Sequence, residues 1–210
     1  MEEKKKKKKK KIKIEKIIDM EWQMFQKVEN IGGRASCQDD FETFYIMRFS
    51  QYGSWTDEMV NYYLDFAEDA LLRGRNLVSE KYARMMEFTH PEYYKREIEP
   101  LLPPISAECL LLIDKIAGAM VGWETEFSRL YPKLSGAGRP ITSEDDASGF
   151  TSMETYARGE LSTYPVELLR LYSEYIDRLL SEGKSLSLIN QQIMVELYGY
   201  DTIKEAEDSL

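Results

Sequence analysis

Glu42-Thr43-Phe44 followed by Ser50-Gln51-Tyr52, and Glu154-Thr155-Tyr156 followed by Ser162-Thr163-Tyr164, are the same pattern at the same spacing, 112 residues apart. Upstream, Gly33-Arg34-Ala35-Ser36-Cys37-Gln38-Asp39-Asp40 is echoed by Gly138-Arg139-Pro140-Ile141-Thr142-Ser143-Glu144-Asp145-Asp146, one residue longer. Downstream, after a three-residue deletion, a single offset of 109 relates Glu58 to Glu167, Tyr63 to Tyr172, Phe66 to Tyr175, Leu71 to Leu180, Gly74 to Gly183 and Glu87 to Glu196. Order and spacing both persist, which is the mark of a diverged tandem duplication.

The apolar residues around these anchors follow the helical period of about 3.6. Ile14, Ile18, Trp22, Phe25 and Val28 form one stripe. Met59, Val60, Tyr63, Phe66, Ala67, Ala70 and Leu71 form another, and Leu168, Leu169, Tyr172, Tyr175, Ile176, Leu179 and Leu180 repeat it. Gly74 and Gly183 follow directly, where a helix ends in a left-handed residue that glycine tolerates best. Each repeat then reads as four helices, over 12–30 or 107–131, 41–50 or 152–161, 57–72 or 165–181, and 78–89 or 187–198. The pairing is weakest over the first helix, where Trp22 and Phe25 are three apart but Trp123 and Phe127 are four apart. Alternating strand patterns are absent. The expected fold is all-α, a tandem duplication of a roughly four-helix unit packed as one pseudo-two-fold symmetric globule. Its expected parts are a basic disordered tail over 1–13, a first helical repeat over 14–100, a linker over 101–106 and a second helical repeat over 107–205.

Charge is split along the chain. Residues 1–16 hold ten lysines against three glutamates, and the rest holds 18 basic and 34 acidic side chains, within a total of −9. An acidic body repels nucleic acid, whose binding rests on neutralising phosphates. The run Lys4 to Lys11 is the one segment suited to anionic surfaces, and it also reads as a solubilising tail. No apolar run approaches the ~20 residues of a membrane-spanning helix. Two cysteines make no disulfide framework, so the expected location is cytoplasmic.

The Gly-Arg loops are the candidate chemistry, because loops on a rigid scaffold carry function. Asp39 with Glu42, and Thr151 with Glu154, fit the capping-box spacing, which explains the shared Glu-Thr structurally. Arg34 and Arg139 lie outside those caps. An arginine beside a helix N-terminus suits an anion; the competing reading is a bridge to Asp39 or Asp145. Cys37 lies near Arg34 and a helix start, surroundings that activate a thiol, against the plainer reading of an inert one. Glu87-Phe88-Thr89-His90 has the Glu-x-x-His spacing of helical di-iron sites, but the duplicate offers Glu196 and Gly199. His90 also precedes Pro91 and so marks a helix end; no metal site is assigned. No phosphate-loop, dinucleotide or zinc-cluster spacing occurs, and no cofactor is identified.

Two function classes follow. In the first, the protein is an enzyme or small-molecule binder with a polar pocket where the two loops approach the pseudo-two-fold axis. Arg34, Arg139, Asp145 and Asp146 bind a small anionic ligand there, and Cys37, Asp39 and Asp40 are the catalytic candidates. In the second, it is a helical adaptor or regulatory protein that meets a protein partner through acidic faces, and all of these residues are caps. Arginine, glutamine, cysteine and paired aspartates are more than a cap requires, which favours the first.

Several blocks together resemble a bacterial domain-of-unknown-function family, number 4125. They are Asp19-Met20-Glu21-Trp22 through Gly33-Arg34-Ala35-Ser36-Cys37-Gln38-Asp39-Asp40, Glu80-Lys81-Tyr82-Ala83-Arg84-Met85-Met86-Glu87, Gly138-Arg139-Pro140-Ile141 and Arg158-Gly159-Glu160-Leu161-Ser162-Thr163-Tyr164. The resemblance covers residues 14–205. It implies a bacterial cytoplasmic protein, and it carries no activity or catalytic residues to transfer.

Overall fold

The apolar stripes become helices, several of which begin on hydroxyl, amide or carboxylate caps, and two of which run into the left-handed Gly74 and Gly183. A computed structural model describes residues 2–29, 33–146 and 151–210, the side chains of residues 2 and 3 excepted. Met1 of the expected tail and Asn30 of the expected first helix lie outside the described residues. Among them there is no strand, and the α-helices are α1 (Glu2–Phe25), α2 (Phe41–Gly53), α3 (Asp57–Leu72), α4 (Leu77–Thr89), the single turn α5 (Pro91–Tyr93), α6 (Ala107–Leu130), α7 (Pro132–Gly136), α8 (Met153–Leu161), α9 (Val166–Ser181), α10 (Leu186–Leu197) and α11 (Ile203–Ser209). None is long and apolar enough to cross a membrane. Helical turns also run from Tyr94 to Leu101, ahead of the extended Pro103–Ser106 junction.

Caps set the boundaries. Thr56, Asn76, Ser106 and Ser185 each accept the backbone N–H three residues on, satisfying a donor that the first turn leaves free. At Gly74 (φ +72°) and Gly183 (φ +63°) the chain turns left-handed, and the closing bonds match. Arg75 N–H reaches the Ala70 carbonyl at 2.8 Å, and Lys184 N–H reaches that of Leu179 at 2.9 Å. The two expected capping boxes are corrected by one residue. Asp40 caps α2 through Thr43 N–H at 3.0 Å, because Asp39 is drawn aside by Arg34. Ser152 caps α8 through Thr155 N–H at 3.2 Å.

The segment expected to be a disordered tail is instead the first turns of α1, helical from Glu2. Its lysines dock on the α2–α3 corner: Lys10 Nζ donates to the carbonyls of Gly53 (2.9 Å) and Trp55 (2.6 Å), and Lys6 lies 3.3 Å from Asp57. Burial pushes the Lys10 ammonium down from its ordinary value, against the pull of Asp57.

Packing interleaves the halves. α1 lies on α2, α3 and α4, while α6 lies on α8, α9 and α10, and α3 meets α9. Two further contacts cross over: α4 lies on α8, and α10 lies on α2. The α4–α8 crossing needs Gly159, where an added Cβ would sit 2.5 Å from Met85 Cγ and 3.0 Å from the Lys81 carbonyl. One apolar core runs through both halves, from Ile14, Ile17 and Ile18 of α1 to Ile113, Ile116, Leu168 and Leu169. A second, small cluster of Phe127, Val195, Ile203 and Ala206 holds α11 down.

Candidate functional site

The two Gly-Arg loops are braced by their own polar side chains. Arg34 Nε donates to Asp39 Oδ1 at 2.9 Å, and its Nη2 donates to the Gln38 carbonyl at 2.9 Å and to the Gln26 side chain. Gln38 is buried and donates to the carbonyls of Phe25 (2.8 Å) and Val28 (3.0 Å), closing the end of α1 that has no glycine cap. Asp40 is held below the usual carboxylate range by the Thr43 N–H it caps. Cys37 is exposed. A shallow cleft beside this loop is bordered by Val28, Glu29, Gly33, Arg34 and Gln38.

In the second loop, Asp146 accepts from Ser152 N–H (2.5 Å) and the Thr155 hydroxyl (2.6 Å), and Asp145 accepts from the Thr142 hydroxyl (3.1 Å). Burial pushes Asp146 up, but the Thr155 and Ser152 hydrogen bonds outweigh it and hold the carboxyl low. Glu154 accepts from Ser143 N–H and Arg158, at 3.0 and 2.9 Å. Arg139 is exposed, donates to the Thr151 carbonyl at 3.1 Å and lies over the Tyr156 ring at 4.3 Å. Lys81 Nζ lies over the same ring at 4.1 Å, and the Tyr156 and Tyr82 hydroxyls are 2.7 Å apart. Burial pushes the Tyr82 phenol up, and Cys37 from one loop and Arg139 from the other both act on it electrostatically. Arg139 thus lies at this tyrosine pair, while Arg34, Asp39, Asp40, Asp145 and Asp146 are engaged within their own loops.

A buried ionic network that sequence reading missed lies beneath. Glu21, 2% exposed, takes both arms of Arg48, at 2.8 Å from Nε and 2.6 Å from Nη2. Tyr52 and Tyr63 donate to the same carboxylate at 2.5 and 2.7 Å. Arg48 Nη1 also donates to Glu160 at 2.9 Å, and Glu160 further accepts from Lys81 (2.7 Å), Gln51 (2.6 Å) and Tyr164 (2.6 Å). Arg48 of α2 and Glu160 of α8, 112 residues apart in the chain, thus bind each other. Burial pushes Glu160 up, yet Arg48 and Lys81 hold it well below its usual range. Burial, first, holds Tyr52, Tyr63 and Tyr164 well above theirs. Two carboxylates face two cations, so the network is neutral; its work is to fix helices. The signal was an acidic residue, Glu21, on the apolar stripe of α1, a position charged residues seldom occupy unless paired.

Beside this network lies a cavity of about 180 Å³. Phe66, Arg75 and Arg84 come from the first half, Ile105 from the junction, and Ile113 and the Ser162–Pro165 corner from the second. Arg75 is neutralised by a two-armed bond to Glu80, at 3.0 and 2.8 Å. Arg84 is not neutralised. It is 5% exposed, and it donates from Nη1 to the Tyr94 hydroxyl at 3.2 Å and from Nη2 to the Pro103 carbonyl. Of the five N–H groups a guanidinium carries, three have no acceptor and none meets a carboxylate among the described residues. Arg84 sits seven residues after Leu77 on the buried face of α4, the same kind of signal as Glu21.

Among the described residues no group of three or more His, Cys, Asp or Glu is placed to hold an ion. His90 is exposed at the end of α4, its Nδ1 3.0 Å from the Thr89 hydroxyl. No curated protein and no solved structure matches the chain. The model of one family, described as protein of unknown function (DUF4125), matches residues 11–208, and the chain belongs to that family.

Proposed function

We propose that this chain is a small-molecule-binding protein whose anion-recognising pocket lies between two duplicated halves and is the cavity under Arg84. One observation carries the reading: Arg84, 5% exposed, borders a cavity and has no carboxylate partner among the described residues. Burying a cation costs several kcal/mol unless it is paired, and here a bound anion is the partner that offsets it. The anion site of the loop reading thus moves from Arg34 to Arg84.

The duplication is supported by the matched Gly74 and Gly183 caps, by the crossed α4–α8 and α10–α2 contacts, and by Arg48 meeting its register-mate Glu160. Free Cys37 and Cys109 fit the cytoplasmic placement. A ligand that binds only the folded state stabilises it by mass action, about 2.7 kcal/mol at a hundredfold excess over Kd. Thermal unfolding across a library of small anions is therefore the test. Arg84→Met is expected to abolish any stabilisation, and a hit of undiminished size in that variant refutes the site.

A second reading is favoured by the meeting of Arg139, Lys81 and Tyr82 at the Tyr156 ring. If the anion sits there, Arg139→Ala removes the stabilisation and Arg84→Met leaves it.

A further inference from the structure

We infer that the ligand of the Arg84 cavity is a monocarboxylate with a compact apolar body, about the size of a benzene ring; this rests on the reading of the cavity as the anion site. The charge of the lining decides the valence. Arg75 and Glu80 cancel through their two-armed bond, which leaves Arg84 as the single surplus charge. One negative charge balances it. A second would have no free cation and would face the Glu80 carboxylate.

The hydroxyls of the lining decide the polarity of the rest. The Tyr164 proton is committed to Glu160 at 2.6 Å, and those of Ser162 and Thr163 are committed to the carbonyls of Arg158 and Glu160, both at 2.7 Å. These three oxygens can accept from a ligand but cannot donate to an anion. Arg84 is therefore the donor for the carboxylate, and its planar fork suits two parallel N–H···O bonds. Phe66, Ile105 and Ile113 leave an apolar wall for the remainder. Size follows from volume: an apolar cavity of about 150 Å³ is known to admit benzene, and this one measures about 180 Å³.

The test is calorimetric titration of the full chain with acetate, 3-methylbutanoate, benzoate, succinate and inorganic phosphate. Three added carbons at the usual gain per methylene make 3-methylbutanoate about fiftyfold tighter than acetate. Benzoate is expected to match or exceed it, with succinate and phosphate at least tenfold weaker than either. Arg84→Met is expected to remove binding, and so is Cys109→Phe, because Cys109 also lines the cavity and the larger ring fills it without altering the arginine. If Arg84→Met does not fold by circular dichroism, Cys109→Phe alone decides the location. Succinate or phosphate binding best, and losing affinity in these variants, overturns the monocarboxylate class and leaves the pocket standing. Binding of these anions that is unchanged in both variants, or absent for all five, overturns the pocket as well.

Discussion

Glu160→Gln probes the buried network at its most connected member. The substitution keeps the shape and removes one of two negative charges, leaving Arg48 and Lys81 to share Glu21. It also turns an amide nitrogen toward groups that are all donors: Arg48, Lys81, Gln51 and Tyr164. Removing one partner of a buried ion pair costs about 3–5 kcal/mol, because the remaining charge is left uncompensated. For 210 residues the unfolding entropy near the midpoint is roughly 0.44 kcal/mol/K, so Tm should fall by roughly 7–11 °C at pH 7. The pH dependence has a definite sign. The folded-state pKa of Glu160 lies well below its ordinary value of 4.5. The stability drawn from its charge is therefore present above about pH 4.5 and lost as pH falls through the folded-state value. Unfolding curves of wild type and variant should stand furthest apart at neutral pH and converge below about pH 4.5. Adding Lys81→Met to Glu160→Gln restores charge balance and should recover part of the loss, a coupling that a double-mutant cycle isolates. A Tm change under about 2 °C, or a gap between the two proteins that stays constant down to pH 3.5, would refute the account of Glu160 as the neutralising centre.

The glycine caps predict matched costs in the two halves: Gly74→Ala and Gly183→Ala should each destabilise by about 1–2 kcal/mol, since both residues hold positive φ. Urea unfolding that finds one of them neutral would argue against equivalent turns. Deleting residues 2–9 should leave Tm within about 2 °C, because the lysines removed are exposed and their surface pairs are worth little. Lys10→Met should cost more than that whole deletion, because it leaves the Gly53 and Trp55 carbonyls short of a donor.

The helices and their glycine ends were legible because both signals are local: a stripe needs only its own period, and Gly74 and Gly183 follow their stripes directly. The choice between Asp39 and Asp40, or Thr151 and Ser152, as cap was not legible, because adjacent residues of similar chemistry differ only in what else engages them. Arg34 decided the first case. Which helices would cross was also hidden, since the α4–α8 approach depends on a missing side chain at Gly159 meeting Met85, 74 residues away. Glu21 and Arg84 were visible as charges on apolar stripes, but nothing nearby in the chain announces their partners or their lack of one.

The blocks that carry the family resemblance divide in the same way. Residues 19–22, 80–87 and 158–164 supply Glu21, Lys81, Arg84, Glu160, Ser162, Thr163 and Tyr164, which build the buried network and one wall of the cavity. The Gly-Arg blocks supply braces and two exposed arginines. Tyr164 joins the two buried features, lining the cavity while its hydroxyl is held by Glu160. A neutral network that fixes α1, α2, α3, α4 and α8 also fixes the frame in which Arg84 is held. The arginine thereby keeps its unpaired charge without collapsing onto a neighbour, and that preorganisation is what a small anion would exploit.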